Sequence, residues 1–334
     1  MISLKRWSIY PVIIFFFFVS LILTIYFGTE TFVVKKSEQK GQVDYIYHFV
    51  LIPEEVDNEY WRMIEKGARD AAEKYQVYLE YIGPSRANME EHIQVLDKVI
   101  AGKVDGIMVQ GIAESFSSLI DKAVNKGIDV VTVDTDWPKS EREVYIGTDN
   151  YKAGYLAGRA LIEDTEGSQQ VGIIIGRKDA IHQQLRVDGF REAIQKEDRI
   201  EVVGIEESKI SKTGAVQATY NLLKEHPNIT AFYGTSALDG VGIAQVIRTM
   251  KPDSDPYIIT FDTLPETIDL LNNGEIDALV VQYPYEMGYR AVESLVQLQK
   301  GNHPDSIQYT KTGIWHKEDL IRQKETYLDE NDPK

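Results

Sequence analysis

The chain has 334 residues, which is enough for two domains with separate hydrophobic cores. It carries 52 Asp and Glu against 36 Lys and Arg, a net charge of −16, which argues against nucleic acid binding because that function requires a basic face. The absence of cysteine excludes disulfides, thiolate metal sites, a thiol nucleophile and a cysteine-linked lipid anchor.

The amino-terminal segment contains a long apolar run. Ile9–Phe27 is a run of 19 residues without a charge, close to the length that crosses the hydrocarbon of a bilayer. Lys5 and Arg6 precede the run and place the amino terminus in the cytoplasm, and no small-x-small cleavage site follows it. We therefore predict a single-pass anchor in the cell membrane over residues 1–28, a polar tether over 29–42 and an extracytoplasmic remainder.

From Val43 onward, apolar runs of strand length alternate with helical patterns. We predict strands at Val43–Ile52, Val77–Ile82, Asp105–Gln110, the start of Asp129–Trp137, Glu143–Thr148, Val171–Ile175, Ile200–Ile205, Ile229–Gly234, Tyr257–Phe261 and Ile276–Val281. We predict helices at Glu59–Tyr75, Met89–Ala101, Phe116–Asn125, Tyr151–Ile162, Ile181–Gln195, Thr213–Lys224, Leu238–Met250, Leu264–Asn273 and Tyr285–Gln299. This alternation predicts an α/β fold with parallel sheets and right-handed crossovers, and the tail to Lys334 shows only scattered extended patches.

Two of the predicted strands end in an aspartate. The sequence DVVTVD ends on Asp134 and YIITFD ends on Asp262, and a threonine follows each. Polar groups just past the carboxyl ends of parallel strands lie where open α/β sheets bind ligands. A single aspartate of this kind would more often cap a loop or the following helix. The matched pair favours a binding cleft between two lobes.

Signatures of catalysis and of cofactor binding are weak. Gly240-Val241-Gly242 lies inside a predicted helix, and Gln245 stands where a dinucleotide fingerprint has its third glycine. The sequence has no P-loop, no H-E-x-x-H, no G-x-S-x-G elbow and no two histidines at i, i+4. We therefore expect no enzymatic activity, no metal and no cofactor.

Six motifs occur in the order of a known family. They are NEYW from Asn58, VTVDTD around Asp134, IGTDN ending at Asn150, RVDGF from Arg186, ITFD ending at Asp262 and VVQYPYEMG with Gln282. Through these motifs the sequence from Val43 to about Gly313 resembles the ribose-binding-protein branch of the periplasmic sugar-binding proteins, which shares its fold with the effector domains of LacI-type repressors.

The resemblance implies a type I periplasmic binding protein, in which two Rossmann-like lobes are joined by three hinge crossings. The crossings are expected near Gly147–Asp149, Gln282–Pro284 and Thr310–Gly313. The first lobe would comprise residues 43–148 with 283–311, and the second lobe with the tail would comprise 149–282 with 312–334.

The resemblance also implies a monosaccharide site, where carboxylates and amides bind sugar hydroxyls and aromatic rings cover the C–H face of the sugar. The implied ligand-binding residues are Asn58, Tyr60, Trp61, Asp134, Asn150, Arg186, Thr235, Asp262 and Gln282. Trp137 is a further candidate for stacking. Three departures argue against ribose itself: Thr135 stands where the family has an arginine, Thr235 where it has an asparagine, and Glu59 where it has a proline.

The predicted function is extracytoplasmic monosaccharide binding by a membrane-anchored protein whose lobes close on the sugar. The closed form would be recognised by a histidine kinase of a two-component system or by the permease of an ABC importer. The lack of a cysteine for a lipid anchor favours the kinase. The alternative is an ectoenzyme acting on a small sugar or nucleoside, with the two strand-end carboxylates as acid and base.

Overall fold

A computed structural model describes residues 10–32, 45–251 and 255–320. The helix α1, Tyr10–Phe32, covers most of the predicted apolar run and continues past its predicted end at Phe27. Lys5, Arg6 and most of the predicted tether lie outside the described residues, as does the tail from residue 321. Within the described ranges, no helix is both long enough and apolar enough to cross a membrane. The membrane anchor stays a prediction.

From Tyr45 onward the described chain alternates between strands and helices, close to the predicted bounds. The strands are β1 (Tyr47–Ile52), β2 (Val77–Tyr81), β3 (Gly106–Val109), β4 (Asp129–Asp134), β5 (Val144–Gly147), β6 (Gln169–Ile175), β7 (Ile200–Glu207), β8 (Ala231–Gly234), β9 (Tyr257–Phe261), β10 (Ala278–Val281), β11 (Ile307–Tyr309) and β12 (Gly313–His316). The helices are α2 (Glu59–Tyr75), α3 (Met89–Ala101), α4 (Glu114–Val124), α5 (Asn150–Asp164), α6 (Ile181–Ile194), α7 (Lys212–Glu225), α8 (Ala237–Met250), α9 (Pro265–Asn273) and α10 (Pro284–Gln299).

The strands form two six-stranded sheets, one in each lobe. The first sheet has the order β11-β5-β4-β3-β1-β2, and the second has the order β12-β10-β9-β8-β6-β7. The two-lobe α/β fold with mainly parallel sheets is therefore as predicted. The exact lobe limits, 43–148 with 283–311 and 149–282 with 312–334, stay a prediction.

One strand departs from the predicted parallel pairing. β12 pairs antiparallel with β10, and Gly313 lies opposite Val281. Only three residues separate β11 in the first sheet from β12 in the second, too few for a helical crossover. The chain therefore enters the second sheet beside the carboxyl end of β10, and the new strand runs back along it.

Alternate residues of a strand point to opposite faces of its sheet, and both faces of each sheet are covered. In β1, Phe49 and Leu51 belong to one buried apolar cluster, while Val50 and Ile52 belong to another. A strand that is buried on both faces needs an uninterrupted apolar sequence, which is what the short runs show. The second sheet likewise has two apolar clusters.

Small residues let the helices that flank the cleft approach closely. In the first lobe, a Cβ atom on Gly288 of α10 would lie 1.9 Å from the backbone oxygen of Ile64 in α2. In the second lobe, a Cβ atom on Gly154 of α5 would lie 1.9 Å from the backbone oxygen of Arg186 in α6. The small residues of α5 allow this close contact, which fixes the backbone from which Arg186 extends.

Candidate functional site

A cavity of about 570 Å³, part of it open to solvent, lies between the two lobes. Seven of the nine residues implied by the resemblance line it, namely Asn58, Tyr60, Trp61, Asp134, Arg186, Asp262 and Gln282. The strands β4 and β9 deliver the two aspartates at their carboxyl ends, one from each sheet. The topology thus brings Asp134 and Asp262 to one cleft, as expected for open α/β sheets.

The two strand-end aspartates share an unusual backbone conformation. Asp134 has φ 67° and Asp262 has φ 70°. These values lie in the left-handed region, which residues other than Asn, Asp and Gly rarely adopt. Such strained residues often lie at functional sites, where the surrounding structure holds them in place.

Asp134 is held by donors of its own lobe. Its Oδ1 accepts a hydrogen bond of 2.6 Å from the Tyr60 hydroxyl, and its Oδ2 accepts one of 2.7 Å from Gln110 Nε2. The Thr135 hydroxyl donates a third bond of 3.0 Å to Oδ2. The side chain is almost fully buried, at 6% exposure. The carboxylate beside Tyr60 also helps to hold the pKa of that phenol well above its usual value, after burial as the main cause.

Asp262 has fewer donors and a shifted pKa. Gln282 Nε2 donates a hydrogen bond of 2.5 Å to its Oδ1. Burial raises the pKa of Asp262 to about 6, although the Arg186 guanidinium and the Gln282 bond act in the opposite direction. Nearby Asp134 adds a smaller upward effect. The cleft therefore contains two carboxylates, and the charge of Asp134 disfavours ionisation of Asp262.

Arg186 is the buried cation of the cleft, at 3% exposure. Its Nε donates to Asn150 Oδ1 at 2.8 Å, and its Nη1 donates to the backbone oxygen of Thr235 at 2.7 Å. Its Nη2 donates to Gln282 Oε1 at 3.0 Å. Because a guanidinium has five N–H groups, two remain for a ligand. The flat group also lies over the Phe261 ring, with its carbon 3.9 Å from the ring centroid.

Asn150 and Thr235, which the resemblance implies as ligand-binding residues, do not line the cavity here. Both instead hold Arg186, Asn150 with its side-chain oxygen and Thr235 with its backbone oxygen. Arg186 forms no salt bridge with Asp188 or Glu192 of its own helix, because it is buried and bonded to other groups.

Aromatic residues form one wall of the cavity. Tyr60 and Trp61 lie at the start of α2, with ring centroids 6.4 Å apart in an edge arrangement. Trp61 is 3% exposed and also belongs to an apolar cluster of the first lobe, so it serves both the core and the site. Asn58 caps the helix, since its Oδ1 accepts from the Tyr60 backbone N–H at 2.9 Å.

Two residues near β4 lie away from the cavity. Asp136 forms a nearly buried ion pair of 2.7 Å with Arg142 and accepts a bond of 2.8 Å from the Thr132 hydroxyl, so it shapes its loop. Trp137 is half-buried in the same loop and does not line the cavity. In the part of the chain that the structure describes, no cluster of three or more His, Asp or Glu could hold a metal ion.

Five polar residues of the cavity were not predicted from the sequence: Glu54, Gln110, His182, Gln183 and Ser236. Gln110 follows directly on β3 and Glu54 lies two residues after the end of β1, close to the position that singled out the aspartates. The strand-end rule could therefore have found these two. His182 and Gln183 lie in the first turn of α6, where the sequence shows no comparable pattern.

An ion pair joins the two lobes beside the cavity. Arg177, after β6, approaches Glu54 with its Nη1 at 3.4 Å from Oε1, and both side chains are largely buried at 15% and 13% exposure. Arg177 also pairs with Asp179 of its own lobe at 2.9 Å. Burial raises the pKa of Glu54 to about 7, against the lowering effect of Arg177.

Hydrogen bonds link the hinge crossings to the site. Thr148, in the first crossing, donates a bond of 2.8 Å to Gln282 Oε1 in the second crossing. The same amide oxygen accepts from Arg186, and the amide nitrogen donates to Asp262. Gln282 thus connects hinge and cavity through one amide group.

The chain matches known proteins over most of its length. Residues 49–303 match the family described as periplasmic binding protein domain. The D-allose-binding periplasmic protein of Escherichia coli is 23% identical over 263 residues, which cover 75% of this chain and 84% of that protein. The crystal structure of GanP, a glucose-galactose binding protein from Geobacillus stearothermophilus, is 52% identical with a TM-score of 0.80 and covers 82% of this chain and 98% of that one. A chain of the XylFII-LytSN complex is 33% identical with a TM-score of 0.77, over 82% of this chain and 98% of its own.

Proposed function

Since the chain belongs to the periplasmic binding protein domain family, we propose that it binds a neutral monosaccharide between its two lobes and presents the closed form to a membrane partner. The observation that carries this proposal is the cleft that Asp134 and Asp262 line from opposite lobes together with the buried Arg186. Charged acceptors and donors of this kind bind hydroxyls strongly, and Tyr60 and Trp61 offer apolar faces for the C–H groups of a sugar.

The relatives named above are sugar-binding proteins and not enzymes. The site supports binding in the same way, because Asp134 is committed to three hydrogen bonds with its own lobe and Asp262 to one with Gln282. A carboxylate that is fixed in this manner is suited to accept a hydrogen bond from a sugar hydroxyl. The alternative of an ectoenzyme for small sugars or nucleosides has no specific support from the geometry.

For the ligand, we take glucose and galactose as the first candidates. The support is the 52% identity to a protein described as a glucose-galactose binding protein, well above the identity to the ribose-binding relatives. The departures at Thr135, Thr235 and Glu59 already argued against ribose. Titration calorimetry of the full chain in detergent against D-glucose, D-galactose, D-ribose, D-xylose and L-arabinose tests the proposal. We expect one of the hexoses to bind with a Kd of about 10 µM or tighter. No heat with any of the five sugars would contradict it.

For the partner, we propose a membrane histidine kinase, with an ABC permease as the second candidate. The kinase is supported by the missing cysteine for a lipid anchor and by a relative at 33% identity that forms a complex with a second protein, LytSN. The permease is supported by relatives whose names state sugar import, such as the ribose import binding protein of Escherichia coli at 22% identity. Deleting the gene while the transporter is expressed constitutively separates the two, because only an importer subunit is then needed for sugar uptake.

We also propose that the amino-terminal segment anchors the lobes to the cell membrane with the sugar site outside. The support is the uncharged run Ile9–Phe27 with Lys5 and Arg6 before it, and the exposed apolar side chains of α1, such as Phe16 at 64% and Ile22 at 63%. We expect the full chain in the membrane fraction after carbonate washing, with its first residues intact by mass spectrometry. A mature terminus between residues 28 and 41 would contradict the anchor.

A further inference from the structure

His182 is a buried histidine that touches the cavity and that the site as described does not use. It is 6% exposed and lies in the first turn of α6, one turn before Arg186. Its Nε2 lies 3.2 Å from Gln183 Nε2. Its Nδ1 is buried and has no hydrogen-bond partner among the described residues. Because a buried polar atom without a partner is costly, this nitrogen requires an explanation.

The orientation of the Gln183 amide decides which nitrogen of His182 carries the proton. The backbone N–H of Gly176, which can only donate, lies 3.3 Å from Gln183 Oε1, and the Thr235 hydroxyl donates to the same oxygen. These donors fix the oxygen on their side, so the NH₂ group of Gln183 must face His182. An NH₂ group donates, and His182 Nε2 therefore accepts.

The charge state of His182 completes the assignment. Burial lowers the pKa of His182 to about 3, and the positive charge of Arg186 lowers it further. The imidazole is therefore neutral and has one N–H group, and since Nε2 accepts, that group is on Nδ1. His182, which lines the cavity, thus has a buried Nδ1–H group that no described protein atom satisfies.

We propose that the Nδ1–H of His182 donates a hydrogen bond to an oxygen of the bound sugar and that His182 thereby selects among sugars. This rests on the proposed function. The contact would select for a sugar that places an oxygen with a free lone pair opposite His182. A sugar without that oxygen would leave the N–H unsatisfied, and a site built around a buried donor rejects such analogues strongly.

The first test compares the affinities of variants of the full chain for D-galactose and D-glucose. His182→Phe keeps a ring of similar size without the donor, and we expect a loss of about 10- to 100-fold for the sugar that binds. His182→Asn places an amide N–H near the position of Nδ1, and we expect it to restore most of the loss. His92→Phe is the matched control, because His92 is a neutral buried histidine that does not line the cavity and packs on Phe116. It should bind like the wild type.

Analogues of the bound sugar identify the oxygen. In the wild type, one monodeoxy or ring-carba form of the sugar should lose the same factor that His182→Phe loses. In His182→Phe, that form and the parent sugar should bind alike, because the contact is already absent. If every analogue loses the same factor in the wild type and in His182→Phe, no oxygen of the sugar contacts His182 and the proposal is overturned.

Nitrogen-15 spectra of the histidine-labelled full chain provide a readout that a merely structural role would not change. We expect His182 protonated on Nδ1, with a signal that shifts when D-galactose or D-glucose is added. His182 also borders a second cavity next to Asn150 and Tyr309. An Nδ1–H signal that ignores the bound sugar would place the donor towards that second cavity and overturn the proposal, as would the Nε2-protonated form.

The two proposals fail in different ways. If the wild type binds none of the five sugars, the proposed function has failed, whatever the spectrum of His182 shows. If the wild type binds a sugar and His182→Phe binds it equally well, only the present proposal has failed. If His182→Phe does not fold, His182→Asn decides, because a folded protein with the 10- to 100-fold loss despite its amide N–H contradicts the donor role.

Discussion

The two strand-end aspartates have nearly equal φ angles but different hydrogen-bond partners. Asp134 and Asp262 follow equivalent strands with nearly equal φ values. Asp134 accepts three side-chain hydrogen bonds within the first lobe, whereas Asp262 accepts one side-chain bond from Gln282 and has its pKa raised to about 6. The fold therefore repeats a position for a carboxylate, and the neighbouring side chains decide how many hydrogen bonds hold it.

The largest effect is expected from removing Arg186, the buried arginine that lines the cavity with both aspartates. Arg186→Ala deletes the bonds to Asn150, Thr235 and Gln282 together with two N–H groups available to a sugar. We expect sugar affinity to fall by at least about 100-fold, because buried polar groups of the site lose their partners. Titration calorimetry with the sugar that the wild type binds measures this loss of affinity.

The matched control for that experiment is Arg191→Ala. Arg191 is an exposed arginine in the last turn of the same helix. Its removal should leave affinity unchanged. Affinity of Arg186→Ala within a few-fold of the wild type would show that the cleft cavity is not the sugar site.

Replacing each aspartate by asparagine compares how much each carboxylate contributes to the free energy of unfolding. In Asp134→Asn, one carboxylate oxygen becomes an NH₂ group, so at least one of the donors Tyr60, Gln110 and Thr135 loses its acceptor, and we expect a loss of about 2 kcal/mol in the free energy of unfolding. In Asp262→Asn, the amide oxygen can still accept from Gln282 and the buried charge is removed, so we expect no loss and a gain of up to about 2 kcal/mol. Urea unfolding of the sugar-free proteins at neutral pH measures both. Equal losses would contradict the different surroundings.

The pH dependence of stability tests the surroundings of Asp262 in another way. The pKa of Asp262 in the folded state, about 6, lies above its ordinary value of 3.8, so the folded state binds more protons between these values. The stability from Asp262 is therefore fully present below pH 3.8 and is lost as the pH rises through 6. We expect this to lower the free energy of unfolding by roughly 2 kcal/mol.

Asp262→Asn provides the measurement for this prediction. The free energy of unfolding of the wild type should fall more steeply between pH 4 and pH 7 than that of the variant. Other buried carboxylates, such as Glu54, act equally on both proteins and cancel in the difference. Parallel curves for the two proteins would contradict the raised pKa of Asp262.

The smallest expected effect concerns the contact between the lobes. Arg177→Ala removes the 3.4 Å pair with Glu54, and Arg177 also keeps Asp179 of its own lobe as a partner. The long distance and this competing partner limit the gain on closure, so we expect sugar affinity to fall only about threefold. Arg159→Ala, which breaks an exposed pair within α5, is the control and should have no effect. A loss as large as that of Arg186→Ala would show that Arg177 belongs to the site itself.

The sequence predicted the elements well because each depends on local patterns. Helix α2 and strand β9 begin and end where the periodicity indicated, since Asn58 caps the former and the run of the latter is buried on both faces. The antiparallel β12 was not predicted, because its direction depends on where the chain re-enters the second lobe. No local pattern contains that information.

The site could be predicted only in part for a related reason. Asp134, Asp262 and Arg186 have motifs around them, and the structure brings them to one cavity. The role of Asn150 and Thr235 in holding Arg186 depends on distances between separate helices and loops. His182 has no motif, and its importance follows only from the bonds of its neighbour Gln183.

The positive φ of Asp134 and Asp262 has a consequence for how this cleft can change its specificity. A left-handed residue is readily replaced only by Asn or Gly, so a library that diversifies these two positions would consist mostly of strained or misfolded proteins. Glu54 and Gln110 line the same cavity and are not among the residues with positive φ. Most substitutions that change the sugar specificity of a folded protein, in biosensor design or in evolution, are therefore expected at Glu54, Gln110 and His182. The two aspartates would stay unchanged.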